Sequence, residues 1–241
     1  MSKVLLLLGL VLVFYSQGSV AKIAPDYIKP CPGQTSECLK KTIQETIPLF
    51  VKGDPSLGID PIDPLSQSYT SVDLPGGFKV ELFDGTVHGF RKCIVDSVSY
   101  KNDEATLDFH CNVTVKGKYK AKGQILVVSI NGDGDAKIRM GNVAVKTKIK
   151  FHDVTRDGVV YHEIKKYDMT YTINDRVTFS LTNLFKGNPE LSQAVLQFLN
   201  ENWKQLVDEF GGPIFNKVVE IVFAQIEKVF KKIPKSELFA D

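Results

Sequence analysis

The chain has 241 residues, 43% of them hydrophobic and 24% charged, and a formal net charge of +2. That composition excludes collagen-like, coiled-coil and disordered chains. A balance so near zero also excludes the concentrated basic face that nucleic acid requires, so no nucleic-acid partner is expected.

Lys3 precedes an apolar run from Val4 to Tyr15, which is too short for a membrane-spanning helix of about 20 residues. Small residues at Ser19 and Ala21 suit signal peptidase. Residues 1–21 are therefore expected to be a signal peptide, cleaved after Ala21 or alternatively after Gly18. Residues 22–241 then form one secreted, extracellular domain, near neutral, monomeric and without stable membrane insertion.

A Pro-rich entry, Pro25 to Pro32, leads into a helical stripe of Leu39, Ile43, Ile47, Phe50 and Val51. The stripe predicts a first helix over 36–51, kinked near its end by Pro48. Four cysteines in a secreted chain read as two disulfides. Cys31 and Cys38 flank a Pro-Gly turn and suit a local staple. Cys93 and Cys111 bracket a turn at Lys101–Glu104. If Tyr100 lies opposite Glu104, these two cysteines face each other across an antiparallel pair. No CxxC and no His pair at ligand spacing accompanies them, so no metal site is predicted.

From Tyr69 to about Phe185 the hydrophobic period is two. In Ala105–Tyr119, Leu107, Phe109, Cys111, Val113, Val115 and Tyr119 point one way and polar residues the other, as in a strand with one wet face. Alternation also marks Phe78–Leu82, Val143–Phe151, Tyr167–Ile173 and Val177–Leu181. The apolar phase slips at Gly141-Asn142, which predicts a bulge and bend in a long strand. Turn signals fall at Gly76-Gly77, Asp84-Gly85, Asn131-Gly132, Asp157-Gly158 and Asn174-Asp175. Their spacing predicts an antiparallel meander.

The last quarter is helical. Asn188 is a suitable N-cap before Pro189 and Glu190. An apolar stripe runs from Leu191 to Phe210. Gly211-Gly212-Pro213 is expected to interrupt the helix, and a second segment reaches Ile233. Its stripe, from Phe215 to Ile233, is broad enough to require cover over much of its circumference. The layout is thus α+β, with a long C-terminal helix along the concave face of a curved sheet.

Catalytic signatures are missing. HExxH, GxSxG and phosphate-loop patterns do not occur, and the four His are scattered. Asn131–Asp135 resembles a calcium loop, but Ala136 and Asn142 stand where Gly and Glu belong. A tight hairpin turn explains it better. Asn112-Val113-Thr114 is an N-glycosylation sequon on the polar face of a strand, which makes Asn112 the expected glycan site. The runs Lys116/Lys118/Lys120/Lys122 and Lys146/Lys148/Lys150 read as solvated sheet surface.

Several motifs together carry a resemblance. Leu184-Phe-Lys-Gly-Asn-Pro-Glu-Leu-Ser precedes Phe198-Leu-Asn-Glu-Asn-Trp203. The Cys31…Cys38 pair lies ahead of the first helix. Gly77-Phe-Lys-Val stands beside Gly89-Phe90, and Gly123-Gln-Ile-Leu comes before Gly132-Asp-Gly134. In this order and spacing the chain resembles the takeout / juvenile hormone binding protein family, over about residues 26–239. The resemblance implies a strongly curved antiparallel sheet wrapped around the long helix and enclosing an apolar tunnel. It also implies a secreted insect carrier that reversibly binds a small elongated hydrophobic ligand such as a terpenoid hormone, fatty acid or similar lipid. No cofactor is implied. The hormone-binding branch tethers its C-terminal helix by a second disulfide, whereas here the extra pair is Cys93 and Cys111, which points to the takeout branch.

Candidate tunnel-lining residues are Phe78, Val80, Phe109, Val113, Ile138, Met140, Val143, Val145, Tyr167, Met169, Phe179, Leu181, Leu199, Trp203, Phe215, Val219 and Phe223. Core and tunnel wall share one pattern, so roughly half of these are expected to be plain core. The alternatives to a non-enzymatic carrier are an esterase acting on such lipids and a membrane-active lipid-binding defence protein. The missing nucleophile motif disfavours the first and the near-neutral charge disfavours the second.

Overall fold

A computed structural model describes residues 22–239, so the expected signal peptide lies outside the described residues. The period-two region forms one seven-stranded antiparallel sheet. Its strands are β1 (Leu65–Leu74), β2 (Phe78–His88), β3 (Ile94–Lys101), β4 (Glu104–Ile125), β5 (Val128–Arg156), β6 (Val159–Ile173) and β7 (Val177–Leu181). The helices are α1 (Ser36–Phe50), α2 (Pro189–Glu201), α3 (Trp203–Lys232) and the short α4 (Lys235–Leu238).

β4 and β5, of 22 and 29 residues, are the spine of the sheet. Each changes partner halfway. β4 pairs with β3 up to His110 and with β2 from Thr114. β5 pairs with β7 up to Met140 and with β6 from Val143. The changeover sits at the expected bulge. Cys111 faces Val143 and Val113 faces Met140, so Gly141 and Asn142 together oppose Asn112. Asn142 takes a φ of 48°, and its N–H donates to Asn112 Oδ1 at 2.8 Å. The extra residue bends β5 and sharpens the twist, which divides the sheet into two halves around one concave face.

Both disulfides form as paired in the sequence reading, with Cα–Cα distances of 5.8 Å for Cys31–Cys38 and 4.4 Å for Cys93–Cys111. The register that brings Cys93 to Cys111 differs from the expected one. The hairpin tip is the two residues Asn102 and Asp103, both at positive φ, so Lys101 faces Glu104 and Tyr100 faces Ala105. A bulge between Val95 and Ser97 then restores the register, so that Ile94 faces His110. Asn and Asp tolerate the left-handed region, which makes the shorter turn available.

Two predicted turns are not turns. Asp84-Gly85 is a bulge inside β2. Asn131-Gly132 lies within β5, and the β4–β5 hairpin turns at Leu126-Val127 instead. The glycines serve close approach. A Cβ on Gly132 would lie 2.7 Å from the Tyr119 hydroxyl, and one on Gly134 would meet the Thr182 backbone. Tyr119, thus seated, donates to the Thr182 carbonyl at 2.8 Å and joins β4 to the segment after β7.

The C-terminal helix also breaks elsewhere than expected. Asn188 caps α2 by accepting from the Leu191 N–H at 2.9 Å. The break falls at Asn202, whose side chain donates to the Phe198 carbonyl at 2.8 Å. α3 then continues unbroken through Gly211-Gly212-Pro213 for 30 residues, about 45 Å. Pro213 removes only one backbone donor, and Gly211 has a packing reason. A Cβ there would lie 2.6 Å from the Tyr171 hydroxyl, so glycine lets β6 approach the helix backbone.

Three aromatic contacts fix α3 along the β5–β6 side. Tyr171 stacks on Phe215 at 3.9 Å, Tyr167 on Phe223 at 3.8 Å, and Phe151 meets Phe230 at 5.0 Å. The spacings match: eight helical residues rise about 12 Å, and four strand residues about 13 Å. The opposite flank of α3 packs Val218, Ile221 and Val222 against Leu65 and Val87 of β1 and β2. The sheet therefore wraps the helix from both edges. α1 covers β3, whose backbone bonds to the Gln44 amide through Val95 N–H and Cys93 C=O.

Candidate ligand-binding site

Cross-strand partners in an antiparallel sheet share a face, so the register shows which candidates face inward together. Around the bend the inward rows are Val113–Met140–Val177, Cys111–Val143–Ile173 and Phe109–Val145–Tyr171. Val115–Ile138–Phe179 lies on one side of these rows. Leu107–Thr147–Met169 and Ala105–Ile149–Tyr167 lie on the other. Val80 and Leu181, facing Ala121 and Ala136, continue the same face toward the β4–β5 hairpin.

The candidates are not equivalent. Phe78 and Leu199 are buried in a packed cluster with Tyr119, Val195, Leu206 and Phe210, and Val80, Phe179 and Leu181 lean on it. Phe223 is buried with Ile149 and Phe151, and Tyr167, Met169 and Val219 pack around them. Val113 packs against the cluster of Leu65 and Val87. Phe109, Ile138, Met140, Val143 and Val145, together with Trp203 and Phe215 of α3, belong to none of the four clusters. They occupy the bend region and the facing helix. Periodicity did not separate these groups because wall and core positions alternate identically.

Two residues outside the candidate set matter. Tyr171 closes the Phe109–Val145 row and braces α3 through Phe215. Burial raises the pKa of its hydroxyl. Thr147 is a buried polar residue on the inward face of β5. Both alternate in phase with named apolar neighbours, and that phase was the available signal.

Polar chemistry concentrates at the α4 end. His162 is fully buried, with Nδ1 2.6 Å from Asp153 Oδ1 and Nε2 2.8 Å from the Tyr100 hydroxyl. It stacks on Phe151 at 4.8 Å. Lys235 donates to both Asp153 oxygens at 2.9 and 2.8 Å. Lys235 first, and His162 second, hold the Asp153 carboxyl below its ordinary pKa. This network ties α4 to the β5–β6 arm. Among the described residues His88 bonds Thr86 and His110 bonds Asp96, and no Ser or Cys is hydrogen-bonded to a His. Asn112 is exposed, on the face of β4 opposite to Cys111 and Val113.

Two clefts on the outer surface lie among the described residues near α2. One of about 620 Å³ lies at the α2–α3 junction and is lined by polar side chains such as Glu201, Lys204 and Asp208. The other, of about 460 Å³, holds Leu181, Phe185 and Leu196 beside the start of α2. Neither includes the bend residues. No described helix is long and apolar enough to cross a membrane.

Residues 7–240 match the family described as haemolymph juvenile hormone binding protein. The circadian clock-controlled protein daywake of Drosophila yakuba is 27% identical over 230 residues, which span 89% of this chain and 88% of that protein. A putative beta-carotene-binding protein of Schistocerca gregaria is 26% identical over 108 residues, 43% of each chain. The crystal structure of Epiphyas postvittana Takeout 1 is 34% identical and superposes with a TM-score of 0.84, covering 89% of this chain and all of that one. The chain belongs to the haemolymph juvenile hormone binding protein family.

Proposed function

We propose that the protein is a secreted, monomeric carrier that reversibly holds a small elongated hydrophobic ligand in a tunnel between the concave sheet face and α3. The observation that carries this reading is the bend region. Phe109 and Met140 line up with the buried Val143 and Val145 on one apolar face of the sheet, and none of the four belongs to the packed clusters. A continuous apolar face outside the packed clusters gains by burying the apolar area of another molecule, at about 25 cal/mol per Å². The family's naming for juvenile hormone binding, and the similarity to a putative beta-carotene-binding protein, agree with a ligand of this class. Secretion follows from the signal-like residues 1–21, and Asn112 is the site proposed for a glycan. A mass loss on enzymatic deglycosylation that disappears in Asn112→Gln tests the latter.

Native mass spectrometry of protein secreted from insect cells, followed by solvent extraction, is the direct test. A bound apolar molecule that leaves intact on extraction supports a carrier. Turnover of a lipid ester by the pure protein would refute it in favour of an esterase.

A further inference from the structure

One side chain on the concave face breaks the apolar pattern. Thr147 alternates on β5 with the buried Val145 and Ile149, and its cross-strand neighbours are Leu107 and Met169. It is 5% exposed. Every sealed side-chain polar atom among the described residues has a hydrogen-bond partner. The Thr147 hydroxyl takes part in no side-chain hydrogen bond among those residues. A hydroxyl that is neither sealed nor paired borders open space, and the strand's alternation puts that space on the concave side. Desolvating a hydroxyl without a partner costs about 1–3 kcal/mol, so a valine would be the better residue here if packing were the whole purpose.

We propose that Thr147 is the polar contact inside the binding site, hydrogen-bonding a neutral oxygen of the ligand: an ester, ether, ketone or alcohol rather than a carboxylate. The proposal rests on the carrier reading above. Neutrality follows from the surroundings. Among the described residues the buried side chains with polar atoms include Thr147, His162, Gln225 and Tyr119, and the Tyr119 hydroxyl donates to the Thr182 carbonyl. Both ring nitrogens of His162 are engaged by Asp153 and Tyr100, and Gln225 Oε1 accepts from Asp60 N–H and Lys228. Among the described residues no Lys or Arg is buried to pair with a carboxylate, and an unpaired buried charge is far more costly than an unpaired hydroxyl. The Tyr171 hydroxyl is turned to the α3 backbone, 2.6 Å from where a Cβ on Gly211 would lie, and the rings of Tyr167 and Tyr171 stack on Phe223 and Phe215 of α3. Thr147 offers its oxygen from the sheet wall, between Leu107 and Met169.

Thr147→Val removes the hydroxyl at nearly constant shape, and Thr147→Ser keeps it. Methyl hexadecanoate, ionised hexadecanoic acid and hexadecane, each presented from cyclodextrin, would compete against a fluorescent naphthylamine probe. The wild type is expected to favour the ester over both others. Thr147→Val should lose roughly tenfold in ester affinity, the factor of a lost neutral hydrogen bond, and keep its hexadecane affinity. Thr147→Ser should retain the ester preference, and apo Thr147→Val should melt no earlier than wild type. Equal ester binding by wild type and Thr147→Val would overturn the proposal while leaving the carrier intact. So would early melting of the valine variant, or acid bound as tightly as ester. If wild type binds neither the naphthylamine probe nor any competitor, the carrier reading falls and takes this one with it.

Discussion

Met140→Trp and Leu199→Trp place the same indole at two positions whose hydrophobic pattern is alike but whose surroundings differ. Leu199 is 3% exposed and wedged among Val195, Leu206 and Phe210. Extra volume there forces side chains off their rotamers, at about 1–3 kcal/mol. In a domain of this size each kcal/mol moves the melting temperature by about 2–4 °C, so Leu199→Trp should melt about 2–12 °C early. Met140 faces Val113 and Val177 at the bend and belongs to no packed cluster. The added ring there enters ligand space, and the apo protein should melt within about 2 °C of wild type. Binding should show the reverse order: Met140→Trp displaces the ligand, whereas Leu199→Trp, if folded, retains it. Differential scanning fluorimetry of the apo proteins and displacement of a fluorescent naphthylamine probe read the two effects. The reasoning is refuted if Met140→Trp melts as early as Leu199→Trp, or if it binds the probe like wild type.

Phe223→Ala removes a 4%-exposed ring that stacks on Tyr167, and chemical denaturation should show a loss of about 3–5 kcal/mol; less than 1 kcal/mol would mean that α3 is not gripped there. Replacing Cys93 and Cys111 by Ser opens an 18-residue loop, and a loss of about 3 kcal/mol is expected in denaturant. The carboxyl of Asp153 titrates below its ordinary value of about 4 because of Lys235 and His162. A depressed folded pKa means stability that is present above the unfolded value and lost as pH falls through the folded one. Asp153→Asn should therefore melt earlier than wild type at neutral pH, with the gap closing as the pH falls below about 4; a gap that stays constant with pH would show that charge is not the cause.

Much of the architecture was legible without coordinates. Alternation in Ala105–Tyr119, the phase slip at Gly141-Asn142 and the broad stripe from Phe215 to Ile233 reflect the two periodicities that burial imposes on strands and helices. The half-turn of phase at the bulge survives in sequence because an inserted residue must swap the faces of everything after it. The pairing of Cys93 with Cys111 was legible because a hairpin is local. Its turn was misplaced by one position, and the bulge at Asp96 compensated.

Tertiary structure alone decided the rest. Asn131-Gly132 and Gly211-Gly212-Pro213 are statistically strong punctuation, yet neither punctuates. The first glycine lies under the Tyr119 ring and the second admits the Tyr171 hydroxyl, contacts made by residues 13 and 40 positions away in the chain. A glycine that makes room for a distant side chain looks, in sequence, like one that makes a turn. The same limit applies to the site. Phe78, Leu199 and Phe223 belong to packed clusters while Phe109 and Met140 belong to none, although all five alternate inward. Burial against solvent sets the period, but whether an inward residue meets another side chain or open space depends on how far the sheet stands from α3. That separation is set by the bulge and by the stacked aromatics that fix α3 to the sheet.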